Sequence, residues 1–160
     1  MIRPANVSDV DVLSVLTYEA WEGSLFPLLH PEVVSSLSVG WFAEALKEDI
    51  ACDVVCVVVY EEDNEILGYA AGKCPSERSD FEILRLYVHP DAQGLGIGRK
   101  LFLEMKTQSI ALNKSQMIVW TLLGAANNPF YRSLLPVDIT NREIAIFGFK
   151  YSGIGYIYSL

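Results

Sequence analysis

Between Leu84 and Phe102 the chain reads LRLYVHPDAQGLGIGRKLF, with glycine at 94, 96 and 98. An apolar alternating run precedes these glycines, and a segment opening Arg99–Lys100 follows them. The pattern describes a strand, a tight turn and the start of a helix. Glycines remove the Cβ atoms that block close approach and allow positive φ. Successive N–H groups then converge on one point, and the unpaired amides of a helix N-terminus add a positive end. The chemistry on offer is the holding of an anion, with Arg99 and Lys100 adding charge. A Walker A loop is excluded, because Gly98 is followed by Arg99, Lys100 and Leu101 and both the spacing and the hydroxyl are missing. The GxGxxG dinucleotide fingerprint is excluded by the alternate spacing, and by a position mid-chain after a hairpin.

The elements that must position this turn can be read from periodicity. IRPANVSDVDVLSVLTYEAW predicts a short strand and a helix, with Ser8 as N-cap and Asp9 and Asp11 suited to the positive first turn. GSLFPLLHP is a loop. From Pro31 a second helix is expected through Val34, Leu37, Trp41 and Ala45. DVVCVVVYEEDNEILGYAAGK reads as a hairpin turning at EEDN, its first strand β-branched and buried on both faces. CPSERSD is a polar loop and FEILRLYV the next strand. GRKLFLEMKTQSIALN is a helix, SQMIVWTLL a strand and NPFYRSLL a short helix. TNREIAIF and YSGIGYIYSL close the chain as a hairpin around Gly148. The class is α/β (α+β), with a mixed, mainly antiparallel sheet of six to seven strands and four helices.

Bulk composition narrows the partners. A chain of 160 residues suits one domain, 1–160. A net charge of −8 argues against nonspecific binding to nucleic acid or to an anionic membrane. No apolar stretch is long enough to span a bilayer. The start MIRPANVSDV lacks a signal pattern, so a cytoplasmic location is the expectation. Cys52, Cys56 and Cys74 are too few for a disulfide framework. Cys52 and Cys56 are expected on one face of a strand-like run. With His30 and His89 as the two histidines, no metal-ligand cluster is apparent.

VHPDAQGLGIGRKL resembles the acetyl-CoA loop of the GCN5-related N-acetyltransferase family, V-x-P-x-x-(Q/R)-x-x-G-x-(G/A), at Val88, Pro90, Gln93, Gly96 and Gly98. The order of elements resembles that family along nearly the whole chain. The resemblance implies a loop of Gln93, Gly94, Leu95, Gly96, Ile97, Gly98, Arg99 and Lys100 around the CoA pyrophosphate. It also implies main-chain contacts from Leu86, Tyr87 and Val88 to the pantetheine, and an oxyanion donor near Val88.

NPFYRSLL resembles the family's FYxxLG helix, which makes Tyr131 the acid for the departing thiolate. The Asn that often stands seven residues earlier is here Gly124, so Asn127 or Asn128 is left for a CoA contact. FEILRLYV is similar to the E-I-x-R-I-Y-I strand of PaiA-type polyamine acetyltransferases, which makes Glu82 the water-relayed base. In a regular strand Glu82 would share a face with Leu84, Leu86 and Val88, with Arg85 and Tyr87 on the other side. The segment YEAWEGSLFPLLHPEVVSSLS resembles the acceptor border of a bacterial and archaeal subgroup. Trp21, Glu22 and Phe26 are candidates to line the pocket, with Glu19 or Glu22 to attract an ammonium.

The implied activity is acetyl transfer from acetyl-CoA to a primary amine of a small molecule, a polyamine among them, by direct attack without a metal. A peptide amine is the alternative acceptor, a noncatalytic acyl-CoA-binding module the alternative class, and a homodimer a common assembly among relatives.

Overall fold

The computed structural model describes residues 1–74 and 80–160. The polar loop expected at CPSERSD falls largely outside them. Elements run β1 (Ile2–Pro4), α1 (Val10–Ser24), α2 (Pro31–Ser36), α3 (Val39–Ala51), β2 (Val55–Glu62), β3 (Glu65–Lys73), β4 (Phe81–Val88), α4 (Ile97–Ala111), β5 (Gln116–Leu122), α5 (Asn128–Ser133), β6 (Asp138–Ile146) and β7 (Phe149–Ser159). One sheet of seven strands has the order β1-β2-β3-β4-β5-β7-β6. All its pairings are antiparallel except β4 with β5. The last strand returns between β5 and β6, as the closing hairpin requires.

Local chemistry explains most boundaries and corrects several expectations. Asn6, not Ser8, opens the α1 region. Its side chain accepts from the Ser8 N–H, and Asp9 reaches back to the Asn6 N–H at 2.9 Å. Asp9 also pairs with Arg3 at 2.9 Å, which holds its carboxyl below the usual range and pins α1 to β1. The single helix expected from Pro31 is two. Leu37 is extended, and Ser38 starts α3 by accepting from the Trp41 N–H at 3.0 Å. Among the described residues the α-helices therefore number five. Cys52 closes α3 rather than lying in a strand, so it shares no strand face with Cys56. Asp63 and Asn64 both have positive φ and make a two-residue hairpin turn, as Phe147 and Gly148 do later.

The sheet is covered on both faces. Val58, Tyr60, Phe81, Ile83 and Leu86 pack with Leu101, Phe102 and Met105 of α4. Val57, Val59, Tyr69 and Ala71 pack with Leu13 and Leu16 of α1 and Leu46 of α3. The run Val57–Tyr60 thus alternates between two cores, which is why it reads as continuously apolar. A third cluster joins Leu25, Leu29 and Val33 to Phe42, Leu122 and the inner face of the β6–β7 hairpin.

Gly72 marks a close approach of α4's core to the sheet. A Cβ there would stand 2.3 Å from Phe81 Cζ. Gly72→Ala is expected to destabilise the fold by about 1–3 kcal/mol through overpacking. Urea denaturation checks it, and an unchanged midpoint would contradict this packing.

Candidate active site

The site begins with two irregularities in β4. Ala71 pairs with Arg85 but Gly72 pairs with Ile83, so Leu84 is an extra, bulged residue. The bulge resets the alternation. Phe81, Ile83 and Leu86 belong to the α4 side, while Leu84 and Tyr87 belong to the α1–α3 side. Glu82 therefore shares its face with Leu84, Arg85 and Tyr87, and not with Leu86 and Val88 as a regular strand would have it. The second irregularity is on the other edge. β4 pairs with β5 only from Phe81 to Ile83, against Met117 to Val119. Beyond Ile83 the two strands part.

The His89 N–H turns back to Leu67 O on β3, at 2.7 Å. Main-chain groups alternate sides along a strand, so those of Val88 and Leu86 face the gap.

Two cavities meet at this gap. The larger, of about 610 Å³, runs from the glycine turn to α1 and α5. Its walls include Gln93, Gly94, Gly96, Ile97, Gly98 and Arg99 on one side, and Glu19, Ala20, Gly23 and Ser24 on the other. The smaller, of about 130 Å³, lies between the splayed strands and is lined by Trp21, Arg85, Trp120, Thr121, Ile144 and Ile146 among others. Leu86, Tyr87, Asn127 and Tyr131 line both, so they form the junction.

At the turn, Gly94 and Gly96 have φ of 79° and 82°, and a Cβ at either would meet nothing within 4 Å. Gly96 is the N-cap of α4 and no side chain caps that end. The first intrahelical bond is Lys100 N–H to Gly96 O, which leaves the amides of Ile97, Gly98 and Arg99 without a helical acceptor. Gln93 Nε2 donates to Val88 O at 3.3 Å and ties the loop to the strand end. Uncapped amides, open space above glycine Cα atoms and Arg99 together fit a pyrophosphate. Leu95 and Lys100 do not line the cleft. Leu95 is exposed, and helical rotation carries Lys100 Nζ over the Tyr60 ring, 5.4 Å from its centroid.

Tyr131 is buried at the junction, stacked 5.9 Å from Tyr156 and edge-on to Phe130 at 5.3 Å. Tyr158 donates to its main-chain oxygen. Its own hydroxyl bonds no described residue, yet no unbonded side-chain oxygen or nitrogen is sealed from the surroundings among the described residues. The hydroxyl is therefore open to the cavity. Burial pushes the phenol far above its usual range, so it keeps its proton at neutral pH.

The two asparagines divide their tasks. Asn128 is buried, donating to Leu122 O and Ala125 O and accepting from Tyr156, which fixes the start of α5. Asn127 accepts from Thr121 Oγ1 at 2.8 Å and keeps its Nδ2 donors for the cavity.

Among the acceptor candidates, Trp21 lines the small cavity and donates to Tyr87 Oη at 2.8 Å. Glu22 is exposed and borders neither cavity. Phe26 is turned inward by the short helical turn at Pro27 and sits edge-on to Tyr18 at 5.3 Å. Glu82 lines neither cavity, since it lies where β4 and β5 are still paired. Sequence reasoning missed Trp120, Ile144 and Ile146, and gave Arg85 no part in a site. The aromatic in MIVWTLL, at the end of the strand facing the gap, was the available signal for Trp120.

Residues 53–134 match the acetyltransferase (GNAT) domain family. The chain belongs to that family. It is 24% identical, over 97% of its length and 91% of the relative's, to the uncharacterized N-acetyltransferase YuaI of Bacillus subtilis. The fold is shared with the PaiA N-acetyltransferase of Thermoplasma acidophilum, solved in complex with coenzyme A. That match has a TM-score of 0.78 and 16% identity, over 100% of this chain and 98% of that one. It is shared too with the ribosomal-protein-alanine N-acetyltransferase of Brucella melitensis, with a TM-score of 0.73 and 23% identity, over 100% and 99% of the two chains.

Proposed function

We propose that this acetyltransferase moves the acetyl group of acetyl-CoA to the primary amine of a small molecule, by direct attack in a ternary complex. One observation carries it: the strand gap opens between a cleft fitted to a pyrophosphate and a second, smaller cavity, with the Tyr131 hydroxyl at their junction. Acetyl-CoA supplies an acetyl group activated as a thioester.

The chain's residues divide the remaining work. Amides at Ile97, Gly98 and Arg99 hold the diphosphate, and Leu86 and Val88 offer main-chain groups to the amide-bearing arm. An N–H in the gap polarises the thioester carbonyl. Tyr131 donates a hydrogen bond to the sulfur as it leaves. A thiol titrates near ~8.5, below the raised phenol, so outright proton donation by Tyr131 is uphill. The ammonium's first proton goes to the base, and Tyr131 passes its own proton to the sulfur as it takes the second, shed by the nitrogen once the C–N bond has formed, so the two transfers are linked.

For the base we propose Glu19 ahead of Glu82. Glu19 is the one carboxylate lining either cavity among the described residues. Glu82 stands four residues before Leu86, about 13 Å along an extended strand. Glu19→Gln is expected to lower kcat/KM by about 10²-fold. Glu82→Gln is expected to leave kcat/KM close to that of the unaltered protein. The reverse pattern would return the role to Glu82. A polyamine acceptor has Glu19 in its favour and the small cavity against it, because no carboxylate among the described residues lines that cavity. Thiol release from acetyl-CoA against a panel of polyamines, amino acids, aminoglycosides and peptides tests the function as a whole.

A further inference from the structure

The small cavity has an unbalanced hydrogen-bond inventory. Arg85 donates through Nε to Asp49 Oδ2 at 3.1 Å, a single contact, and no described residue accepts from its two Nη groups. Four N–H donors of a charged group are thus left over, on a side chain only 15% exposed. Tyr87 Oη accepts from Trp21 Nε1, which leaves the phenol proton to be donated, and burial keeps that proton in place. Asn127 spends its oxygen on Thr121 and keeps Nδ2. The remaining lining is aromatic and aliphatic, from Trp21, Trp120 and Leu122 to Ile144 and Ile146. Donors in surplus, one guanidinium and no carboxylate among the described lining residues complement an anion, not a cation.

From this inventory we infer that the acceptor carries a carboxylate beside its amine, as an α-amino acid does, and that Arg85 and Tyr87 hold that carboxylate in the small cavity. The cavity's 130 Å³ leaves room for a carboxylate and its neighbouring carbon. The amine then lies at the junction, between Tyr131 and the wall that carries Glu19. The bulge at Leu84 makes this arrangement. Without it Arg85 would share a face with Phe81 and Ile83 and point at the apolar core under α4. This inference rests on the acetyltransferase reading and specifies its substrate.

The test is thiol release from acetyl-CoA with the common L-α-amino acids, each beside its amide and its decarboxylated amine. Polyamines, aminoglycosides and peptides share the plate, and acetyl-CoA binding is measured separately by calorimetry. The best free amino acid is expected to exceed its amide and its amine in kcat/KM by about 10- to 100-fold. Arg85→Gln is expected to bring the three to comparable values, chiefly by raising KM for the acid. Arg85→Lys should restore part of the preference and Tyr87→Phe should lose part of it, so a misfolded Gln variant leaves the inference testable. An amide or amine used as well as its acid, or a preference untouched by these variants, would overturn it. So would turnover confined to polyamines, aminoglycosides or peptides, which leaves the acetyltransferase reading standing. Absence of acetyl-CoA binding would overturn both.

Discussion

Replacing Tyr131 with phenylalanine is expected to lower kcat by about 10²-fold, the usual scale for losing a positioned proton donor. Acetyl-CoA affinity should change little. The ring is part of the core, in contact with Phe130 and Tyr156, and phenylalanine keeps those contacts. The main-chain oxygen that accepts from Tyr158 is also kept. What is removed is one hydroxyl that bonds no other described group and opens onto the junction of the two cavities. A loss confined to kcat, with the Kd of acetyl-CoA unchanged by calorimetry, would mark an interaction made in the transition state. Equal turnover in the variant would remove Tyr131 from the chemistry and leave it a packing residue.

Gly96→Val is expected to weaken acetyl-CoA binding by about 10²-fold or more, for two reasons that act together. Gly96 sits at φ 82°, where a side chain costs about 1–2 kcal/mol and a β-branched one more. The residue also caps α4 and borders the amides that face the cleft, so any relaxation turns those amides away from the diphosphate. The fold's cores lie elsewhere, so Tm should fall by only a few degrees. Titration calorimetry reads the affinity and thermal unfolding reads the stability. Unchanged affinity would mean that the turn is a corner and not a ligand site.

The glycine turn was legible because its chemistry is local. Spacing, positive φ and an uncapped helix start all lie within six residues, and sequence carries such features directly. The strand and helix order was equally plain, since Val57–Tyr60 and the α4 segment have strong periodicity. The acceptor side was not. Its walls come from α1, β4, β5 and β6, far apart in the chain, and one bulge decides which β4 side chains face it. Extra residues in a strand leave no mark in an alternating pattern, so regular alternation puts Glu82 on the face of Leu86 and Val88 and Arg85 on the opposite side from it, whereas the bulge brings the two onto one face. The break at Leu37–Ser38 was missed for a related reason. Val34, Leu37, Trp41 and Ala45 keep helical spacing straight through it, and only the capping hydroxyl of Ser38 reveals the new start. Phe26 borders neither cavity, because Pro27 sets the direction of a short turn that periodicity does not describe.

Transfer itself can be followed most directly by incubating the protein with acetyl-CoA and the amine panel, then quantifying free thiol and acetylated amine in the same samples. The expected result is thiol and N-acetyl product formed in equal amounts, rising together, with one acceptor class dominant and both lost together in the Tyr131→Phe protein. Acetyl-CoA that binds tightly but yields neither product with any amine would contradict the account, and would make the chain an acyl-CoA-binding module instead.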